Sequence, residues 1–144
     1  MTKKQNWTLF LTRISFGWLF FYAGITKVLN SEWSASGYLS GAKMFTGLFE
    51  WFASPAILPF TNFLNQWGLT LIGVSLLLGI WVRYSAIAGA VLMLLYYFPL
   101  GLPMPNPHSY IVDEHIIYFF GLILLAVYRA GHVWGLDKFV SKRN

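Results

Sequence analysis

Residues 7–28 read WTLFLTRISFGWLFFYAGITKV, in which only Arg13 and Lys27 carry charge. About 20 apolar residues suffice to carry a helix across the hydrocarbon of a bilayer, so the stretch reads as a transmembrane span. It follows Lys3 and Lys4 as the core of a signal peptide would. It is too long for one, however, holds Arg13 and lacks a small-x-small cleavage site, so the expectation is a retained first span. Arg13, Gly17, Phe20, Gly24 and Lys27 recur at steps of four, three, four and three, which sets all five on one helical stripe. The two glycines permit close approach of another helix. Ionisable groups in a span are costly and usually face an interior, a partner or water, which makes Arg13 and Lys27 functional candidates. The plainer reading is that each snorkels to its nearer surface.

Composition points the same way. Of 144 residues, 57% are apolar or Tyr and 10% are charged, against about 25% charged in soluble domains. Four helices of about 20 residues would leave only ends and loops, so a single transmembrane domain over 1–144 is expected, with no attached soluble domain. That excludes a nucleotide-binding fold or a self-contained soluble enzyme. A net charge of +5 would suggest nucleic acid for a soluble protein, but in a membrane protein it is expected of the inward-facing side, and no nucleic-acid partner is inferred. There is no Cys, so redox chemistry must come from a bound cofactor, a diffusible substrate or a partner subunit.

Pro55 and Pro59 interrupt the uncharged stretch between Glu50 and Arg83, leaving 66–82 as span two. Span three is expected at 84–102, where Pro99, Pro103, Pro105 and Pro107 turn the chain into a rigid extended loop, and span four at 113–129. Phe45, Leu48, Phe49 and Phe52 follow an i, i+3, i+4, i+7 pattern, which predicts an amphipathic helix over 37–53, lying in the interface or docked across the bundle mouth. The expected fold is an all-α integral membrane protein, a four-helix transmembrane bundle with an interfacial helix between spans one and two. Lys3, Lys4, Arg83, Arg129, Lys138, Lys142 and Arg143 then share one side, which places both termini in the cytoplasm. Trp7, Trp67, Trp81 and Trp134 fall near span ends, where indoles favour the headgroup region.

At the outer end of span four, Asp113, Glu114 and His115 sit together, preceded by His108 and Tyr110. A carboxylate beside an imidazole can move protons and can hydrogen-bond a quinone carbonyl or an oxyanion. Asp113 and Glu114 equally suit a helix N-terminus as cap and dipole partner. Lys27 is expected to pair with Glu114 across a seam between spans one and four, since both lie near the outer boundary. The spacing of His108, Asp113, Glu114 and His115 matches no strong metal motif, and His115 and His132 lie at opposite faces, so neither metal nor haem is predicted. Phe20 to Tyr22, Tyr96 to Phe98 and Tyr118 to Phe120 all fall in the outer halves of their helices. A ring-lined slot under a polar cluster is what a quinone head requires.

Four segments carry a family resemblance: Arg13-x3-Gly17-x6-Gly24-x2-Lys27, Leu76 to Arg83, Tyr110-Ile-Val-Asp-Glu-His115-Ile-Ile-Tyr118, and Gly135-Leu136-Asp137. Over about residues 8–139 the chain resembles the DoxX/DoxD family, with the DoxD-type membrane subunit of thiosulfate:quinone oxidoreductase as the nearest type. The resemblance implies a four-helix protein of the prokaryotic cytoplasmic membrane that passes electrons from thiosulfate into the quinone pool, with quinone as acceptor and a small DoxA-type partner. It also implies Arg13, Lys27, Glu114 and His115 as family-site residues. The expected site therefore has His115 and Glu114 for proton transfer, and Lys27, Arg13, Asp113, Tyr110 and Tyr118 for substrate binding. The alternative is a non-catalytic membrane scaffold or assembly subunit of a redox or stress-response complex. Homo-oligomers are compatible with either.

Overall fold

The computed structural model describes residues 1–140. Seven α-helices form among them: α1 (Lys3–Leu29), α2 (Ser36–Ser40), α3 (Thr46–Ala53), α4 (Leu58–Leu78), α5 (Val82–Tyr97), α6 (Glu114–Val127) and α7 (Asp137–Val140). A 3-10 turn at Phe98–Leu100 prolongs α5 and another at Ala130–His132 follows α6. No strand forms among the described residues; an isolated bridge joins Asn106 and Ser109 in the proline-rich loop.

Local chemistry sets the helix ends, and it moves several of the expected boundaries. The first helix starts at Lys3 because Thr2 and Gln5 form a reciprocal capping box. The second long helix begins at Leu58, eight residues before the expected start, with Pro59 inside its first turn. A proline there sacrifices only an N–H that had no helical partner, so it opens the helix instead of breaking it. The same helix stops at Leu78, not 82. Gly79 takes φ +72 and Trp81 φ +51, reversing the chain within three residues so that α5 starts at Val82.

The helix expected over 37–53 is two helices, α2 and α3, separated at Phe45, whose φ of +50 is left-handed. Phe49 is buried with Ala35 and Leu39, and Phe52, Leu58 and Phe98 pack around them. Phe45 and Leu48 remain exposed. The amphipathic stripe is thus real for Phe49 and Phe52, and it docks across the bundle mouth.

α1 lies along the length of α4 and α5 along α6, whereas α4 meets α5 more loosely and α1 barely touches α6. On α1 the buried residues are Arg13, Gly17, Phe20 and Gly24, the stripe expected from their spacing. Its partner is α4, not the last helix as expected. A Cβ on Gly24 would lie 2.3 Å from the Thr70 nitrogen, and one on Gly73 of α4 would lie 2.2 Å from that of Phe21. The two backbones therefore interleave through glycines from both sides. α6 is held off by the Phe16 ring, which fills the space over Gly121.

α1 and the stretch Val82–Leu100 are each long and apolar enough to cross a bilayer. α6 is apolar but only 14 residues long, and Asn62, Asn65 and Gln66 lower the hydropathy of the 21-residue α4. Trp18, Tyr22, Phe63, Ile117 and Phe120 are exposed on the outer faces. An apolar exterior of that extent on long apolar helices is that of a helical membrane protein.

Candidate functional site

The loose meeting of α4 and α5 leaves a groove of about 1020 Å³, open to the side and bounded at one end by α2 and α3. Its walls are overwhelmingly apolar, but Lys27, Asn65, Tyr96 and His115 gather at the end nearest α2. A smaller recess of about 190 Å³, lined by Ala23 and Phe20 of α1 and by Tyr118 of α6, opens elsewhere on the bundle. Lys27, Tyr96 and His115 line both, so these three side chains form a partition between two openings.

His115 is positioned by the start of α6. Asp113 is the N-cap: its Oδ1 accepts hydrogen bonds from the backbone N–H of His115 at 3.0 Å and of Ile116 at 3.3 Å. Its Oδ2 lies 2.7 Å from His115 Nδ1. A carboxylate can only accept, so Nδ1 carries the hydrogen and the opposite ring edge, with Nε2, is left free. Asp113 is 3% exposed; it caps the helix, as its place before α6 suggested, and its second oxygen orients the imidazole. Tyr96 stands edge-on to the His115 ring, with ring centres 6.1 Å apart.

Lys27 reaches the same place from α1. Its ammonium donates to the Ala23 carbonyl at 2.8 Å and lies 5.5 Å from the centre of the Trp33 ring. Gln66 Nε2 donates to the Lys27 carbonyl at 3.3 Å, tying the end of α1 to α4. Glu114 does not pair with Lys27, contrary to expectation. As the first residue of α6 it is exposed, whereas the lysine folds back over its own last turn. His108 and Tyr110 are also exposed and line neither cavity; Tyr118 lines the smaller one.

Arg13 belongs to the other end of the molecule. It is 1% exposed, and its guanidinium donates to the carbonyls of Leu76, Val133 and Trp134 at 3.2, 3.4 and 3.3 Å. It is neither a snorkelling residue nor part of the groove. It closes the C-terminal end of α4 against the segment that follows α6.

Two residues of the site, Asn65 and Tyr38, were not anticipated, and Tyr96, expected only as a slot ring, also bonds through its hydroxyl. Tyr96 donates its hydroxyl to Asn65 Oδ1, bridging α4 and α5 at the polar end, and Tyr38 of α2 donates to the Tyr96 carbonyl. Partial burial, and then the negative charge of Asp113, push the Tyr38 phenol up to about 12, so it stays a donor at neutral pH. Asn65 carried a readable signal, since with Asn62 and Gln66 it interrupts an apolar helix. Tyr38 carried none, because its role depends on how α2 docks. Among the described residues no three His, Asp or Glu side chains converge as a metal site would need.

The family model described as DoxX matches residues 8–111. The chain belongs to the DoxX family. The match takes in Arg13, Lys27, Asn65 and Tyr96 and ends two residues before Asp113, so the DoxX assignment rests on the first three long helices. No curated protein and no solved structure matches this DoxX chain.

Proposed function

We propose that this DoxX protein is the membrane subunit of a quinone-linked oxidoreductase that passes electrons from thiosulfate or a related sulfur compound to quinone. The observation that carries the reading is the convergence of Lys27, Tyr96 and His115 at the polar end of an apolar groove that opens sideways. A quinone ring has apolar faces and carbonyl oxygens at its edges, and such a molecule suits an apolar slot with a few convergent donors. Its reduction takes up two electrons and two protons, and the joining of two thiosulfate anions as tetrathionate releases two electrons. His115, held through Nδ1 by Asp113, takes a proton from water at its free Nε2 and, as the imidazolium, passes that proton to a ring oxygen. Tyr96 flanks the ring site edge-on to His115, and Lys27 draws in the anionic reductant. The donor follows from the resemblance to DoxD-type subunits, as does a small DoxA-like partner.

In this reading all four long helices cross the cytoplasmic membrane of a prokaryote, with both termini inside. Single Cys at Ser109 and at Lys138 should react with an impermeant thiol reagent from opposite sides; labelling of both from one side would overturn the topology. Lys27→Met should raise the apparent KM for thiosulfate about tenfold with kcat little changed, as expected for loss of an interaction made equally in the ground state. Initial rates across thiosulfate concentrations check this, and an unchanged KM would remove Lys27 from the anion's path.

The scaffold reading has one observation in its favour. The Tyr96 hydroxyl bonds α5 to Asn65 of α4 and the Tyr38 hydroxyl bonds α2 to the Tyr96 carbonyl, as in a lock between helices. Quinone content of the protein purified with its native partners separates the two: stoichiometric quinone supports the oxidoreductase, and its absence supports the scaffold.

A further inference from the structure

The groove is much larger than a ring. Binding clefts of about 300–1,000 Å³ hold whole drug-sized molecules, and this one has about 1020 Å³, so a quinone head at the polar end leaves most of it unfilled. Its shape follows from two helical stripes. On α4 the lining runs through Thr61, Leu64, Gly68, Leu71 and Ser75, and on α5 from Tyr96 back to Ser85. Asn65, at the polar end, and Ser75 are ten residues apart, about 15 Å of helix and about half the hydrocarbon thickness. At the far end Ser75 Oγ lies 2.5 Å from Ser85 Oγ, closing α4 on α5 below the groove. At the near end the Tyr96–Asn65 bond closes it above. Between these two ties runs a long, mostly apolar slot, open along its side, with Lys27 and His115 at one end.

We infer that this slot is a track for one long apolar tail, so that the ligand is an isoprenoid-tailed quinone which enters sideways from the bilayer with its ring beside His115 and its tail running toward Trp81. The inference rests on the quinone reading, which identifies the head. Lipid chains are as apolar as the slot, so the track adds little hydrophobic affinity; what it gives is alignment. The quantity to measure is therefore where the tail lies.

Gly68 provides the means. A Cβ there meets nothing within 4 Å, so a larger side chain enters the groove without touching the α1–α4 packing, and leaving glycine favours the helix. Ala88, exposed on the opposite wall, offers a second blocking site. Two photoreactive probes would be used on the purified protein in nanodiscs, one with a diazirine on the quinone ring and one with it at the tail end. The ring probe should label residues around Lys27, Tyr96 and His115. The tail probe should label the Leu71–Ser75 and Trp81–Ser85 walls, and Gly68→Leu or Ala88→Phe should cut that labelling at least tenfold while ring labelling persists. Tail adducts on outward faces such as Trp18 and Tyr22, indifferent to both variants, would overturn the track and leave the head site standing. Absence of ring labelling would overturn the quinone reading and the track together. Tail labelling displaced equally by a two-chain phospholipid would reassign the slot to bulk lipid and overturn the track.

Discussion

Replacing His115 by Ala should leave the protein folded and inserted while lowering thiosulfate-dependent quinone reduction by about 10²–10⁴-fold, the usual scale for losing a general acid or base. The fold should survive because the start of α6 does not depend on the imidazole. Asp113 Oδ1 caps it through the backbone N–H groups of residues 115 and 116, which any side chain at 115 preserves. Asp113→Asn tests the same point from the other side. Its amide oxygen can still cap, but its NH2 can donate to Nδ1 and so stabilise the wrong tautomer, and activity should fall with little change in thermal stability. Assays of quinone reduction alongside melting in detergent distinguish these outcomes. Full activity in His115→Ala would dismiss the imidazole as proton donor and leave the scaffold reading in its place.

How much of this was legible in the sequence differs between the two ends of the molecule. The stripe from Arg13 to Gly24 was readable because glycine spacing is a property of one helix, and the structure buries those residues. The partner of that stripe was not, since nothing within α1 distinguishes α4 from α6. The choice is made by Gly73 and Thr70, where α4 offers bare backbone. Likewise His115 beside Asp113 was apparent from adjacency, and Lys27 was apparent as a charge in a span. Their meeting with Tyr96 and Asn65 required knowing that α4 and α5 part in the middle and close at their ends. Pro59 misled because the rule that proline breaks helices reverses in the first turn. Lys142 and Arg143, used for the inside-positive count, lie outside the described residues.

Arg13 is the residue whose role changes most on passing from sequence to structure, and its loss should be the most damaging to stability. Arg13→Ala removes the donor to three carbonyls drawn from the end of α4 and from the segment after α6. The buried Leu76 carbonyl left unpaired costs about 1–3 kcal/mol, the half-buried Val133 and Trp134 carbonyls add less because water reaches them, and a cavity opens where the long side chain packed, so the loss should reach about 2–4 kcal/mol. The same knot holds Asp137, whose carboxylate accepts from the backbone N–H of Trp81 at 2.6 Å and of Val82 at 3.1 Å, capping α5 from the far end of the chain. Gly79 completes it. Its φ is +72, and a Cβ there would lie 1.9 Å from Arg13 Nη1 and 2.6 Å from the Gly135 Cα. Gly79→Ala should therefore destabilise partly by displacing the very guanidinium that Arg13→Ala removes. The two substitutions share one cause, so the double variant should lose less than the sum of the singles, by roughly 1 kcal/mol or more in thermal or denaturant unfolding. Strict additivity would show that Gly79 acts only through its backbone and that Arg13 is not the centre of the latch. Quinone retained per folded protein should be unaffected in all three variants, because the latch and the groove's polar end lie at opposite ends of α4.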